Sequence, residues 1–338
     1  MRTPTVRRTR RPARAAGRTL VELMISLAIG LAVTAAVATA YLSATRTARV
    51  AGELAGIADT GQVAMLLIGD AIRQAGYGEI VGSELALGAD DVGAYRTQTM
   101  FAEGAHLAGC AGGRFVDDTM ATPVCAPPSD VNFDALLVRF QADAMVPPAQ
   151  GLVPDCLGGA SPAEDLPATH VGVARAAARP VVQNAYYGMA GALMCRGNAR
   201  ALPGLAFALP QQLVTDVEQF KVFYGFDDVR HANAGTTAGA TVRSLRDATW
   251  INALPPQTQP WEYVVSVHVC MVIRSAPDAG SGLSTAATQT WARCPLNAAE
   301  AAGELPTVTA SDGFLRRTYS QVFTVRARST ANPRQFLP

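Results

Sequence analysis

The stretch Gly17-Arg18-Thr19-Leu20-Val21-Glu22-Leu23 decides how the rest of the chain is read. It lies between a leader carrying Arg2, Arg7, Arg8, Arg10, Arg11 and Arg14 and a run, Leu23 to Thr45, that holds no charge. Arginines ahead of an apolar helix keep that flank in the cytoplasm, and Leu23 to Tyr41 is long enough to cross most of a bilayer. Glu22 is the oddity. A carboxylate in hydrocarbon costs a few kcal/mol or demands a partner, unless it sits close enough to the interface to stay wet. Thr19 and Glu22 also have the Thr-x-x-Glu spacing of a capping box, which starts the helix at Thr19. A conventional signal peptide cut after Ala38-Thr39-Ala40 would have an apolar core of only ~7 to 15 residues. A plain single-span anchor explains the arginines and the hydrophobicity, but not the Gly17 to Glu22 spacing.

Beyond Thr45 the pattern changes. Val50, Leu54, Ile57, Met65, Ile68 and Ile72 recur at helical spacing, with Arg49, Glu53, Asp59, Asp70 and Arg73 off the stripe, so the helix is expected to leave the membrane and become amphipathic. Gly52, Gly56, Gly61 and Gly69 each weaken it by up to ~1 kcal/mol against alanine, and Gly76-Tyr77-Gly78 ends it. Residues 79 to 133 read as loop. Strands are expected at 134–140, 170–174, 181–187 and 205–209, with a turn and a strand within 213–224. The clearest is Tyr263 to Arg274, where Val265, Val267, Val269, Met271 and Ile273 alternate with Ser266, His268, Cys270 and Arg274. That period of two predicts a half-covered antiparallel sheet, with His268 on its surface. Leu315 to Arg328 is the last strand. The chain divides into a leader (1–17), an apolar helix (18–45), an amphipathic helix (46–76) and a β-rich head (77–338).

The chain has 338 residues, 49% of them hydrophobic, and a formal net charge of +1, which fits a globular domain behind an anchor and excludes general disorder. Lysine occurs only at Lys221. Cys110, Cys125, Cys156, Cys195, Cys270 and Cys294 follow an export signal, and an even count in an oxidising compartment reads as disulfides. Six cysteines allow about 15 connectivities; neighbours in sequence are the simplest pairing, and closing Cys110 to Cys125 would add roughly 3 kcal/mol on the chain-entropy model. Zinc announces itself with short paired spacings, whereas His106, His170, His231 and His268 are scattered. No nucleophile elbow, phosphate loop, His-Glu-x-x-His or EF-hand pattern is present. Asp90-Asp91, Asp117-Asp118 and Asp227-Asp228 read as solvated turns, and Tyr186-Tyr187 as core aromatics. No enzyme activity, cofactor or metal is expected.

Gly17 to Leu31 resembles the class III signal of type IV pilins and type II secretion pseudopilins. The resemblance implies that a prepilin peptidase cuts after Gly17, that the new N-terminal Arg18 is methylated, and that Glu22 is the fifth mature residue, where the family keeps its glutamate. Arg18 departs from the Phe or Met usual there. Asp155-Cys156-Leu157-Gly158, Tyr186-Tyr187-Gly188, Leu193-Met194-Cys195, Leu213 to Gly225, Val264 to Ser275 and Leu315 to Arg328 resemble the large minor pilins of the PilW type; residues 86–130 and 228–260 do not. In that branch Cys156 and Cys195 would pair. The implied fold is α+β and type IV pilin-like, a long N-terminal helix packed on an antiparallel head.

The implied role is that of a minor pilin which primes pilus assembly and supports twitching, adhesion or DNA uptake. It would sit in the inner membrane with a periplasmic head and then enter the extracellular pilus. Its partners would be other minor pilins, the major pilin, a tip adhesin, the inner-membrane assembly platform and the prepilin peptidase. Glu22 would meet a neighbour's N-terminal amine during assembly. The rivals are a minor pseudopilin of type II secretion and a membrane-anchored periplasmic enzyme or binding protein. No nucleic-acid partner is expected, because the leader arginines stay behind in the cytoplasm.

Overall fold

The computed structural model describes residues 19–76, 106–116, 123–141, 155–159, 163–164, 179–198, 208–232, 241–258, 260–275 and 288–325. The expected strand at 170–174, most of that at 205–209, and Asp90, Asp91, Asp117 and Asp118 lie outside them. Helix α1 runs from Leu20 to Gln74. The chain separates into two units, Met1–Ala51 and Gly52–Pro338, and α1 contributes to both. The helix stops where expected: Gly76 takes a φ of 74°, a conformation glycine adopts without steric cost, and its N–H donates to the Arg139 carbonyl at 2.9 Å.

The second unit is antiparallel throughout its named strand pairs. One sheet has the order β1-β2-β4-β5-β6 (Leu107–Cys110, Ala135–Gln141, Arg179–Met189, Ala192–Gly197, Gln211–Thr215), with β3 (Ala163–Glu164) on β4. The other has the order β12-β9-β7-β8 (Arg316–Thr324, Val264–Arg274, Val217–Phe226, Ser244–Arg246), and β10 (Gln289–Ala292) pairs with β11 (Thr307–Ala310). Short helices α2 (Asp228–Ala232), α3 (Ala248–Asn252) and α4 (Ala298–Ala301) fill connections. The architecture is the expected α+β one.

Several expectations are corrected. Residues 107–110, within the expected loop, form β1, and β5 turns back from β4 through Ala190 and Gly191. Both carry positive φ, 51° and 75°, as a two-residue hairpin loop of this kind demands. The outer face of β9 is covered, not wet: Ser266, opposite Gly225, and Cys270 are both buried, the latter because the Cys270–Cys294 bridge and Trp291 pack there. Only His268 and Arg274 remain half-buried on that face, and burial lowers the pKa of His268. Asp227 is also buried and accepts the Thr241 N–H at 3.1 Å, so it is no solvated turn. Tyr186 and Tyr187 are core residues as expected.

The amphipathic part of α1 buries Ile57, Met65, Ile68 and Ile72, whereas Leu54 is exposed and Val50 half-exposed. Gly61 and Gly69 are the points of closest approach. A Cβ at Gly61 would stand 2.3 Å from the Tyr319 ring, and one at Gly69 would stand 2.3 Å from the Phe323 ring. Tyr319 lies in the first notch and donates its hydroxyl to the Ile57 carbonyl at 2.9 Å. These two glycines are sockets for β12 rather than defects in the helix. Gly52 and Gly56 face open space and retain the propensity reading.

A buried ion pair joins the two sheets. Asp134, just before β2, accepts Lys221 Nζ of β7 at 2.6 Å, the Gly112 N–H at 2.9 Å and the Val222 N–H at 2.9 Å. Lys221 also donates to the Val131 carbonyl at 3.0 Å. Burial raises the Asp134 pKa, against the pull of Lys221 and the two amides. Backbone bonds from Asp134 N to Phe220 O and from Phe220 N to Asn132 O run alongside, at 2.8 and 2.9 Å.

Candidate functional site

The helix start has the cap that its sequence called for. Glu22 N–H donates to Thr19 Oγ1 at 3.3 Å and to the Thr19 carbonyl at 3.1 Å. The Glu22 carboxylate is exposed and makes no hydrogen bond or ion pair among the described residues, so the reciprocal half of the capping box is not formed. Gly17 and Arg18 lie outside the described residues.

From Leu20 to Leu42 the large apolar side chains are all exposed, with Leu20 at 74% and Tyr41 at 68%. This is the one helix among the described residues long and apolar enough to cross a membrane, and its apolar part is unburied. Its serine and threonine hydroxyls are internally satisfied: Ser26 donates to the Leu23 carbonyl, Thr34 to those of Gly30 and Leu31, and Thr39 to that of Ala36, all at 2.9–3.0 Å. A hydroxyl bonded to its own helix can enter hydrocarbon without an orphaned donor. Among the described residues at this end of the helix, Glu22 is therefore the charged group that still requires a partner in an apolar setting.

A second surface was not legible in the sequence pattern. Val63, Leu66 and Leu67 are exposed on α1, bracketed by exposed Asp59 and Asp70. Sequence reasoning assigned the inward stripe and stopped there. The signal was present, since 59, 62, 63, 66, 67 and 70 share one helical face, but it registers only once the inward face is known.

The three cysteine bridges stabilise the head rather than act chemically. Cys110 is joined to Cys125, Cys156 to Cys195 and Cys270 to Cys294, with Cα separations of 5.5, 6.4 and 5.7 Å. Among the described residues there is no free cysteine and no group of three His, Cys, Asp or Glu able to hold a metal ion. Arg316 sits in a structural network: it bonds Glu218 and Asp312 and lies 4.4 Å from the Trp291 ring centre. Its guanidinium lowers the Asp312 pKa to about 2.

Residues 181–327 match the family model described as Type IV Pilus-assembly protein W, PilW. No curated protein matches the chain. Among solved structures, a type IV-like pilin from Thermus thermophilus is similar at 14% identity and a TM-score of 0.36, over 81% of this chain and 98% of that one. The family match runs from within β4 to beyond the end of β12, covering both cysteines of the Cys270–Cys294 bridge and the β12 edge held in the notches of α1. The head that follows the exposed, apolar N-terminal helix thus carries, over residues 181–327, a match to the PilW type of type IV pilus-assembly protein.

Proposed function

We propose that this chain is a minor pilin, a structural subunit that helps to prime a type IV pilus and is cut after Gly17 to leave Arg18 at the mature N-terminus. The observation that carries the reading is α1: an unburied apolar helix with one unpartnered carboxylate at its start, on the same chain as the PilW match. The helix holds the subunit in the inner membrane, with the head on the periplasmic side, until the assembly platform extracts it. It then packs among the helices of the major pilin and other minor pilins, near a tip adhesin. A free carboxylate at Glu22 suits this role, because a neighbour's N-terminal ammonium supplies the cation that a buried carboxylate needs. Val63, Leu66 and Leu67 continue the contact in the head-proximal part of the helix. Twitching, adhesion or DNA uptake follow from the filament and need no catalytic group.

Mass spectrometry of the protein from its native host tests the reading. A mature chain beginning at methylated Arg18 is expected. An intact Met1, or a start at Tyr41, would reject it.

A further inference from the structure

The turn that follows the apolar run breaks the charge rule that the leader obeys. Arginines flanking a membrane span accumulate on the cytoplasmic side, yet Arg46 and Arg49 stand on the opposite flank. Both are exposed, and neither makes an ion pair or hydrogen bond among the described residues. Three residues apart, they are neighbours on one helix face. No carboxylate lies between Glu22 and Glu53, and Glu53, one turn beyond Arg49, forms no ion pair with it among the described residues. The adjacent hydroxyls are not available as ligands' donors in their place: Thr45 donates to the Leu42 carbonyl and Thr47 to that of Ser43, both at 3.0 Å.

Depth gives these charges a setting. Leu23 to Tyr41 rises ~28 Å at about 1.5 Å per residue, close to the ~30 Å of a bilayer's hydrocarbon. Tyr41, 68% exposed, therefore falls where aromatic residues line the interface. Arg46 and Arg49 lie ~7 to 12 Å further along the axis. Helical side chains lean toward the N-terminus, which here means back toward the membrane, so both guanidinium groups reach the phosphate layer while their stems cover the helix. Each offers five N–H donors in a planar fork suited to phosphate oxygens.

We propose that Arg46 and Arg49, with Tyr41 above the hydrocarbon edge, bind the phosphates of anionic phospholipids in the leaflet on the head side of the membrane. The proposal rests on the reading of α1 as a membrane anchor. The bound lipids neutralise the two charges and fix the depth of the helix, which keeps Glu22 at the opposite interface.

The full-length chain is reconstituted into nanodiscs of phosphatidylcholine with a minor fraction of phosphatidylglycerol, and native mass spectrometry measures which lipid stays bound. Wild type is expected to retain phosphatidylglycerol preferentially. Arg46→Gln/Arg49→Gln should reduce that preference by roughly 25-fold, the product of about fivefold for each basic residue at an anionic surface, and Arg46→Lys/Arg49→Lys should restore most of it. An equal preference in wild type and the glutamine variant, with both chains in the discs, overturns the lipid site and leaves the anchor reading standing. Failure of wild type to enter the discs overturns both.

Discussion

Lys221→Met removes the one lysine of the chain from a site where its ammonium is 2.6 Å from Asp134 Oδ1 and both side chains are 4% exposed. The carboxylate keeps the Gly112 and Val222 amides but loses its countercharge, and breaking a buried pair in this way costs ~3 to 5 kcal/mol. An independent bound agrees. Asp134 can escape by taking up a proton, and moving from an unfolded pKa near 3.9 to neutrality at pH 7 costs about three pH units at ~1.4 kcal/mol each, or ~4 kcal/mol. The same reasoning fixes a pH signature. In the variant the folded-state pKa of Asp134 lies above its unfolded value, so the folded state holds the extra proton. The variant is thus most stable, relative to wild type, below about pH 4, and it loses that ground as pH rises through the folded pKa. The assay is guanidinium unfolding of the full-length protein in mild detergent, with disulfides intact, followed by tryptophan fluorescence from pH 4 to 8. The double variant Asp134→Leu/Lys221→Met should recover most of the loss and show no such pH dependence, since an apolar pair of similar volume can replace a buried ion pair. A Lys221→Met loss below ~1 kcal/mol at pH 7, or a loss unchanged between pH 4 and pH 7, would refute the reasoning.

The glycines of α1 divide into two classes with opposite signs. Gly52→Ala and Gly56→Ala should stabilise the helix by up to ~1 kcal/mol each, because nothing lies within 4 Å of the added methyl; Gly69→Ala should lose ~1 to 3 kcal/mol through overpacking against Phe323, which the same unfolding assay separates. Glu22→Ala should leave cleavage and membrane insertion intact, since it removes the carboxylate from the apolar segment. It should also reduce the amount of this subunit in sheared pili more than a hundredfold if a ~3 to 5 kcal/mol buried pair is lost; immunoblotting of sheared and membrane fractions decides, and normal incorporation would dismiss Glu22 as an assembly contact.

What the sequence determined by itself was everything carried by local pattern. An uncharged run of helical length, a basic leader and a Thr-x-x-Glu start define the helix, because hydropathy and capping act over a few residues and need no partner from elsewhere. Gly76 marks the end of α1 for the same reason. The strands of β9 and β12 were legible from alternation, and β2 from its apolar run. Short β1, β5, β10 and β11 were not: four to six residues hold too few repeats for a period to register, and only a neighbouring strand selects them.

The tertiary structure alone decided which groups meet across long separations. Nothing near Lys221 in sequence points to Asp134, and nothing near Gly69 points to Phe323. The glycines read as helix weaknesses because propensity sees only the chain's own backbone, whereas two of them are vacant volume needed by rings more than 250 residues away. Likewise, alternation along β9 could identify its two faces but not what covers the second, since the Cys294 sulfur and Trp291 arrive there through the fold. Exposure of Val63, Leu66 and Leu67 has the same origin: a helix with apolar residues on more than one side does not state which side is inward until a sheet has packed against it.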